Sequence, residues 1–109
     1  MNEFSLAILS PDREWFVGPV VSVVAPGADG ELGVLADHIP MVAGLKMGVA
    51  TVRLANEKIL YFAVDGGVLG VQKKGVRLLT GAVVSCDTFE KAQMALGDLK
   101  RSRTSGSKG

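Results

Sequence analysis

Short apolar segments separated by turn-forming residues make up most of the chain up to Cys86. They recur about every 8–12 residues, a spacing typical of strands in antiparallel sandwiches and barrels. Polar loops of hairpin length, at residues 55–58 and 73–75, join two pairs of these segments. The pattern predicts an all-β body over residues 1–86. Its segments are residues 4–9, 14–18, 20–25, 31–35, 41–45, 48–54, 59–64, 68–72, 76–80 and 82–86.

Some of these segments are apolar at successive positions instead of alternating. The clearest runs are VVSVVA at residues 20–25 and ILYFAV at residues 59–64. A strand that presents apolar side chains on both faces is usually covered on both faces. In a sandwich this small, we therefore expect some strands to be covered on both faces.

The periodicity changes after Cys86. Asp87-Thr88-Phe89-Glu90 has the form of a capping box in which Asp87 is the helix cap. One helical face follows, formed by Phe89, Ala92, Leu96 and Leu99. This predicts a helix over residues 87–100. A helix of about 14 residues is marginal alone, so it must dock on the body. Residues 101–109 contain no apolar residue, which predicts a disordered basic tail.

Charge and composition exclude several classes of protein. Residues 1–99 hold 8 basic and 11 acidic residues, a net of −3, whereas residues 100–109 hold 4 basic residues and no acid. Four cations without aromatic neighbours are a weak signal for nucleic acid, so we expect no nucleic-acid partner. The single cysteine excludes an internal disulfide. No apolar run approaches the roughly 20 residues of a membrane span, and the N-terminus lacks the features of a signal peptide.

Candidate chemistry is sparse. His38 and Cys86 are the sole members of their types and cannot supply the four ligands of a structural zinc site. No nucleophile elbow precedes a helix, which argues against a catalytic Ser-His-Asp arrangement. The glycines of residues 27–30 lack the GK[ST] of a phosphate loop. The sequence thus predicts no catalytic residue, no metal and no cofactor.

The segment GADGELGVLADHIPMVAGLKMG, residues 27–48, is the most patterned part of the chain. It interleaves apolar residues with glycines and charges. One interpretation is a strand–loop–strand corner of the sandwich. The other is a rim that presents Glu31 and His38 to a partner. The residues alone leave both open.

Three blocks of this sequence resemble the epsilon subunits of F-type ATP synthases, the counterparts of the mitochondrial delta subunit. The first is the segment just quoted, with its G-E-x-G-x-L, H-x-P-M-V and L-K-x-G elements. The second is FAVDGGVLGVQKKGVRLLTGAVV at residues 62–84, and the third is the L-x-I-x-S-P…F-x-G pattern within residues 4–18. Together they cover residues 4–85 in the family's order.

The resemblance implies a mainly β fold: a jelly-roll-like β-sandwich of about ten strands in two sheets, followed here by one short C-terminal helix. It implies a non-catalytic subunit that joins the gamma subunit of the central stalk to the ring of c subunits, below the catalytic head. Such a subunit supports the coupling of proton or sodium flow to ATP synthesis. It is peripheral on the cytoplasmic face of the bacterial cell membrane.

By position in the motifs, the partner-binding residues implied are Ser10, Glu31, His38, Val42 and Ala43. The chain departs from the family pattern at Ala36, where a proline is common, and at Gly70, where a glutamate is usual. Relatives carry two C-terminal helices that inhibit hydrolysis or bind ATP, whereas one helix is readable here. The alternative hypothesis is a free-standing β-sandwich binding module, which needs an aromatic-lined groove.

Overall fold

A computed structural model describes the backbone of residues 2–108 and the side chains of residues 2–101. Strands occupy most of the chain, and one helix follows them. The elements are β1 (Phe4–Ser10), β2 (Arg13–Val20), β3 (Ser22–Gly27), β4 (Gly30–Leu35), β5 (Met41–Arg53), β6 (Ile59–Gln72), β7 (Gly75–Leu79), β8 (Val83–Cys86) and α1 (Phe89–Lys108).

Two long strands, β5 and β6, divide the molecule into two layers because each belongs to both. The second half of β5 and the first half of β6 pair with β3 and β8 respectively, and β4 extends this layer beyond β3. We call this layer the helix-side sheet. The first half of β5 and the second half of β6 continue through β7 and β1 to β2. We call this layer the open-side sheet.

The prediction of a mainly β sandwich in two sheets is confirmed. The described residues form eight strands in one hydrogen-bonded network, because four of the predicted segments fuse in pairs into β5 and β6. Counted by layer, each long strand contributes once to each sheet, which gives five strands on either side. The change of layer within β6 lies at Gly66 and Gly67, whose φ angles of 69° and 126° suit glycine.

The core lies between the two sheets. Side chains alternate along β1 and β7, so that Leu6, Ile8, Val76 and Leu78 are buried. They meet buried residues of the helix-side sheet, among them Phe62, in one continuous cluster. Phe16 of β2 contacts Phe62 edge to face, with ring centroids 6.2 Å apart. This contact crosses the sandwich and ties β2 to β6.

Helix α1 covers the outer face of the helix-side sheet over β5, β6 and β8. Ala92 and Ala95 are buried there, and so is Ala63, which points away from the core side occupied by its neighbours Phe62 and Val64. The ring of Phe89 packs edge to face on Tyr61 of the same face. The apolar run of residues 59–64 is therefore covered on both of its faces: the core covers one, and the helix covers the other.

The helix begins one residue later than a cap at Asp87 predicts. Thr88 is the cap: its Oγ1 accepts a hydrogen bond of 3.1 Å from the backbone N–H of Lys91. Asp87 instead forms an ion pair with the Lys91 side chain at 3.1 Å. Both Asp and Thr cap helices. Here the backbone N–H of Lys91, three residues after Thr88, donates to Thr88, so Thr88 and not Asp87 is the cap.

The helix runs past its predicted end at Lys100, to Lys108. Side chains from residue 102 onward lie outside the described residues. The disordered basic tail predicted for residues 101–109 falls almost wholly in that stretch, and it stays a prediction. The same holds for the division into residues 1–86, 87–100 and 101–109.

Candidate docking surface

The outer face of the open-side sheet is not covered by any described element. Register places one row of side chains across all five strands on this face: Val42, Gly70, Arg77, Ala7 and Val17. A second row runs beside it: Gly44, Val68, Leu79, Leu9 and Glu14. Directly paired residues of neighbouring strands lie on the same side of a sheet. We call these two rows the open face.

Most side chains of the open face are apolar, and several are well exposed. Val42 is 79% exposed, Val17 58%, Leu79 46% and Val68 42%. Isolated exposed apolar residues are ordinary, but a contiguous apolar patch on a sheet face marks an interaction site. The helix-side sheet supports this interpretation, because there α1 covers the outward side of β5, β6 and β8, including the buried Ala63.

A hollow of about 490 Å³ adjoins the second row, where β1 and β7 end. Its lining is Leu9, Ser10, Pro11, Gly67, Leu79, Thr80 and Gly81. The backbone N–H of Thr80 donates to the carbonyl of Leu9 at 3.0 Å, which holds the two strand ends together. None of these lining residues is aromatic, so the hollow lacks the stacking platform that the alternative binding-module hypothesis needs.

Ser10 lies at this end of the sheet, in the β1–β2 hairpin. Its hydroxyl accepts a hydrogen bond from Trp15 Nε1 at 2.8 Å and donates one to the Asp12 carboxylate at 2.6 Å. The hydrogen bond from Ser10 is the main reason that the pKa of Asp12 lies below its ordinary value. The Arg13 guanidinium stacks on the Trp15 ring, 3.9 Å from its centroid. Ser10 is thus engaged in fixing the hairpin.

Glu31 lies beside the edge of the open-side sheet formed by β5. It is exposed on β4, paired in register with Pro26 of β3. The hairpin that joins these strands is held against β5 by the Ala28 N–H, which donates to the carbonyl of Gly44 at 2.9 Å. The structure therefore brings Glu31 close to the first half of β5.

His38 lies in the loop between β4 and β5 and connects it to β6. Its Nδ1 is 2.8 Å from the carbonyl oxygen of Leu35, and its Nε2 is 2.6 Å from that of Gln72. A neutral imidazole donates to one of these oxygens, and an imidazolium donates to both. The ring also contacts Phe4 edge to face at 5.3 Å. His38 is half-buried and fixes this loop to the sheet.

The two β5 residues predicted to bind a partner have different orientations. Val42 lies on the open face opposite Gly70, whereas Ala43 pairs with Leu69, whose side chain is fully buried. Ala43 is half-buried and so turns toward the core side of the sheet. Val42 is available to a partner through its side chain, and Ala43 through little more than its backbone.

Sequence reasoning missed most of the open face: Val17, Val68, Arg77, Leu79 and Leu9. A signal existed, because the segments LAIL, GVLGV and VRLL are apolar at outward as well as inward positions. In the first half of β6, apolar residues at outward positions likewise mark the face that α1 covers. Within the described residues, no group of three or more His, Cys, Asp and Glu side chains is arranged to hold a metal ion. No described helix is long and apolar enough to cross a membrane.

Comparison with known proteins places this geometry in a family. The family described as ATP synthase, Delta/Epsilon chain, beta-sandwich domain matches residues 3–85. An ATP synthase epsilon chain of Leptospira borgpetersenii is 33% identical over 109 residues, which cover 98% of this chain and 85% of that protein. The epsilon chain of Dichelobacter nodosus is 45% identical over 78 residues, which cover 70% of this chain and 53% of that protein.

The fold has solved counterparts. A chain in the structure of the Euglena gracilis mitochondrial ATP synthase, OSCP/F1/c-ring, superposes with a TM-score of 0.76 and 24% identity, covering 95% of this chain and 66% of that one. A chain in the Tetrahymena thermophila mitochondrial ATP synthase central stalk/c-ring structure superposes with a TM-score of 0.62 and 12% identity. The match covers 74% of this chain and 65% of that one. At these identities the superpositions support the sandwich fold. The family match and the Leptospira relative show that the chain belongs to the ATP synthase delta/epsilon family.

Proposed function

We propose that this chain is a non-catalytic rotor subunit of a proton- or sodium-translocating F-type ATP synthase. In this role it links the gamma subunit of the central stalk to the ring of c subunits and supports coupling of ion flow to ATP synthesis. The observation that carries the proposal is the open face, an uncovered apolar sheet surface in a member of a family named for this complex. A rotor subunit needs such a surface, because it must hold its partner through every turn.

The open face is the proposed contact with the gamma subunit. Its apolar rows supply area that loses water on binding, worth roughly 25 cal/mol per Å² before the costs of association. Val42 lies within it, and the hollow beside Ser10 adjoins it. Shape and apolar burial therefore carry most of this contact, with polar groups at its rim.

The rim around Glu31 and the His38 loop is the proposed contact with the c-ring and the foot of the stalk. Glu31 is exposed and paired with no cation among the described residues. An exposed ion pair with a basic group of a partner adds about 0–1 kcal/mol, so Glu31 contributes orientation more than affinity. His38 acts through its two backbone contacts, which hold the loop in place.

Catalysis then belongs to the head of the complex, and the chain reaches the membrane through its partners. Bacterial relatives support a location on the cytoplasmic face of the cell membrane. The chain uses no cofactor of its own in this role.

Reconstitution with the rest of the complex tests the gamma contact. Val68→Asp replaces an apolar side chain of the open face with a carboxylate, and removing water from that charge on docking is costly. We expect at least a tenfold loss of affinity for an ATP synthase head and stalk purified without this subunit. The matched control is Met94→Asp, at a residue 73% exposed on α1. Equal binding by both variants, each with a native circular dichroism spectrum, would refute the assignment of the open face.

A second reconstitution tests the rim. Glu31→Gln removes the charge and keeps the shape, so we expect a modest loss of assembly with the c-ring that becomes smaller at high salt. His38→Ala frees the loop from Gln72 and Leu35, and we expect faster amide hydrogen exchange across residues 36–40 together with weaker assembly. Normal assembly and coupling in a Glu31→Ala, His38→Ala double variant would exclude the rim as a contact.

A further inference from the structure

Arg77 is the single cation within the two rows of the open face. It lies on the central strand β7, with Gly70 directly opposite on β6 and Ala7 alongside on β1. Arg77 is exposed, and because both neighbours are small, no bulky side chain lies directly opposite it on either neighbouring strand. An ideal Cβ on Gly70 would meet no atom within 4 Å, which shows that the space beside Arg77 is open on the β6 side.

Arg77 has no acidic partner among the described residues. The salt bridges there join Lys91 to Asp87 and Arg101 to Asp98, both on or next to α1, and none of the side-chain hydrogen bonds involves Arg77. The nearest acid on the open face by register is Glu14, in the other row and two strands away on β2. Two strand spacings separate the two backbones by about 10 Å, and no ion pair joins the two side chains.

A partner that covers the open face must remove water from this guanidinium. Burying a charge without a counterion is costly, and a carboxylate placed on it offsets that cost. Arginine suits such a contact because its planar fork binds both oxygens of a carboxylate at once. We propose that the partner surface docking on the open face is apolar but presents an aspartate or glutamate carboxylate to Arg77. This rests on the proposed function, and it identifies Arg77 as a specificity-determining residue.

Gly70 allows a direct test, because its position faces Arg77 across the strand pair. Gly70→Glu places a carboxylate within cross-strand reach of Arg77, which is about 5 Å between Cβ atoms. In this variant the new carboxylate pairs with Arg77 within the chain, and it repels the carboxylate of the partner. We expect at least a tenfold loss of affinity for the head and stalk purified without this subunit. Gly70→Gln has nearly the same size without the charge, and it should bind within about threefold of the wild type.

Substitution of Arg77 itself supplies the second arm. Arg77→Gln should lower affinity at least tenfold and should reduce the salt dependence of binding, since one charge pair is lost. Arg77→Lys should retain part of the affinity, because the charge remains without the fork. In the Arg77→Gln background, Gly70→Glu and Gly70→Gln should differ less than they do with Arg77 present. Circular dichroism and thermal melting confirm that each variant is folded.

The outcomes separate this inference from the function on which it rests. If Val68→Asp abolishes binding while Arg77→Gln and Gly70→Glu bind like the wild type, the carboxylate contact is wrong and the docking face stands. If none of the three changes binding, the open face is not the docking surface and both proposals fail. A loss with Gly70→Gln equal to that with Gly70→Glu would mean that bulk is responsible, and this too would overturn the carboxylate contact.

Discussion

Gly67 is the position where the fold should tolerate change least. It lies at the point where β6 passes from one sheet to the other, with φ at 126°. A Cβ added there would lie 1.9 Å from the carbonyl oxygen of Leu79. That oxygen belongs to backbone in the neighbouring strand, so no side-chain rotation relieves the contact. Gly67→Ala must therefore distort either β6 or β7.

The expected cost has two parts. A non-glycine residue in this region of φ costs of order 1–3 kcal/mol. Moving β7 by about 1 Å to clear the Cβ weakens its pairing with β6, and overpacking of this kind costs about 1–3 kcal/mol more. A domain of this size has a total stability of roughly 5–15 kcal/mol. At about 4–8 °C per kcal/mol, we expect the melting temperature to fall by at least about 10 °C.

Thermal and urea unfolding of the isolated chain, followed by circular dichroism, measures this effect. The matched control is Gly70→Ala, three residues along the same strand, where a Cβ would meet nothing within 4 Å and φ is ordinary. We expect the control to unfold within about 1 kcal/mol of the wild type. If Gly67→Ala and Gly70→Ala unfolded at the same temperature, the corner would not depend on glycine, and the described bend in β6 would be wrong.

Three further predictions concern α1 and its surroundings. Ala95→Glu should lower the free energy of unfolding by at least about 1 kcal/mol through loss of helix docking, whereas Met94→Glu on the exposed side should not, as thermal unfolding measures. Burial, and secondarily Asp87, raises the pKa of the Cys86 thiol, so iodoacetamide should label it more slowly at pH 8 than a free thiol, as read by mass spectrometry. The Lys91 hydrogen bond lowers the pKa of Asp87 from 3.8. The interaction of ionised Asp87 with Lys91 therefore stabilises the folded state above pH 3.8, and this stabilisation is lost as the pH falls through the lower pKa of Asp87 in the folded state. Helical circular dichroism should show a small decrease there that is absent in Asp87→Asn.

The strand segments could be read from the sequence because the signal for a strand is local. Turn residues and short apolar runs delimit each segment without reference to the rest of the chain. The continuity of β5 and β6 is not local. Whether residues 41–45 and 48–54 form one strand depends on the neighbours that each half pairs with, and those lie in different sheets. Glycines at residues 66 and 67 suggest a break, but the structure uses them for a bend.

The candidate site was only partly predictable for a similar reason. Motif resemblance pointed to Val42, which the structure places on the open face, and to His38, whose partner Gln72 lies 34 residues away. Nothing near His38 in the sequence indicates that contact. The other apolar residues of the open face were not identified, because a sequence shows that a side chain is apolar and not which layer covers it.

The arrangement of apolar residues relates fold to function in this chain. Both sheets carry apolar side chains on their outer faces, and a sandwich needs them only on the inner ones. On the helix-side sheet the chain covers part of that surface itself, over β5, β6 and β8, with the small buried residues Ala92 and Ala95 of α1. No described residue covers the outer face of the open-side sheet, and Arg77 on the central strand β7 is the one cation in the two rows of the open face. Apolar surface alone would favour many partners, including a second copy of the chain. A partner that covers Arg77 without offering a carboxylate leaves the guanidinium buried and unpaired, and this cost disfavours such partners. The open face thus combines area for affinity with one charge for selection.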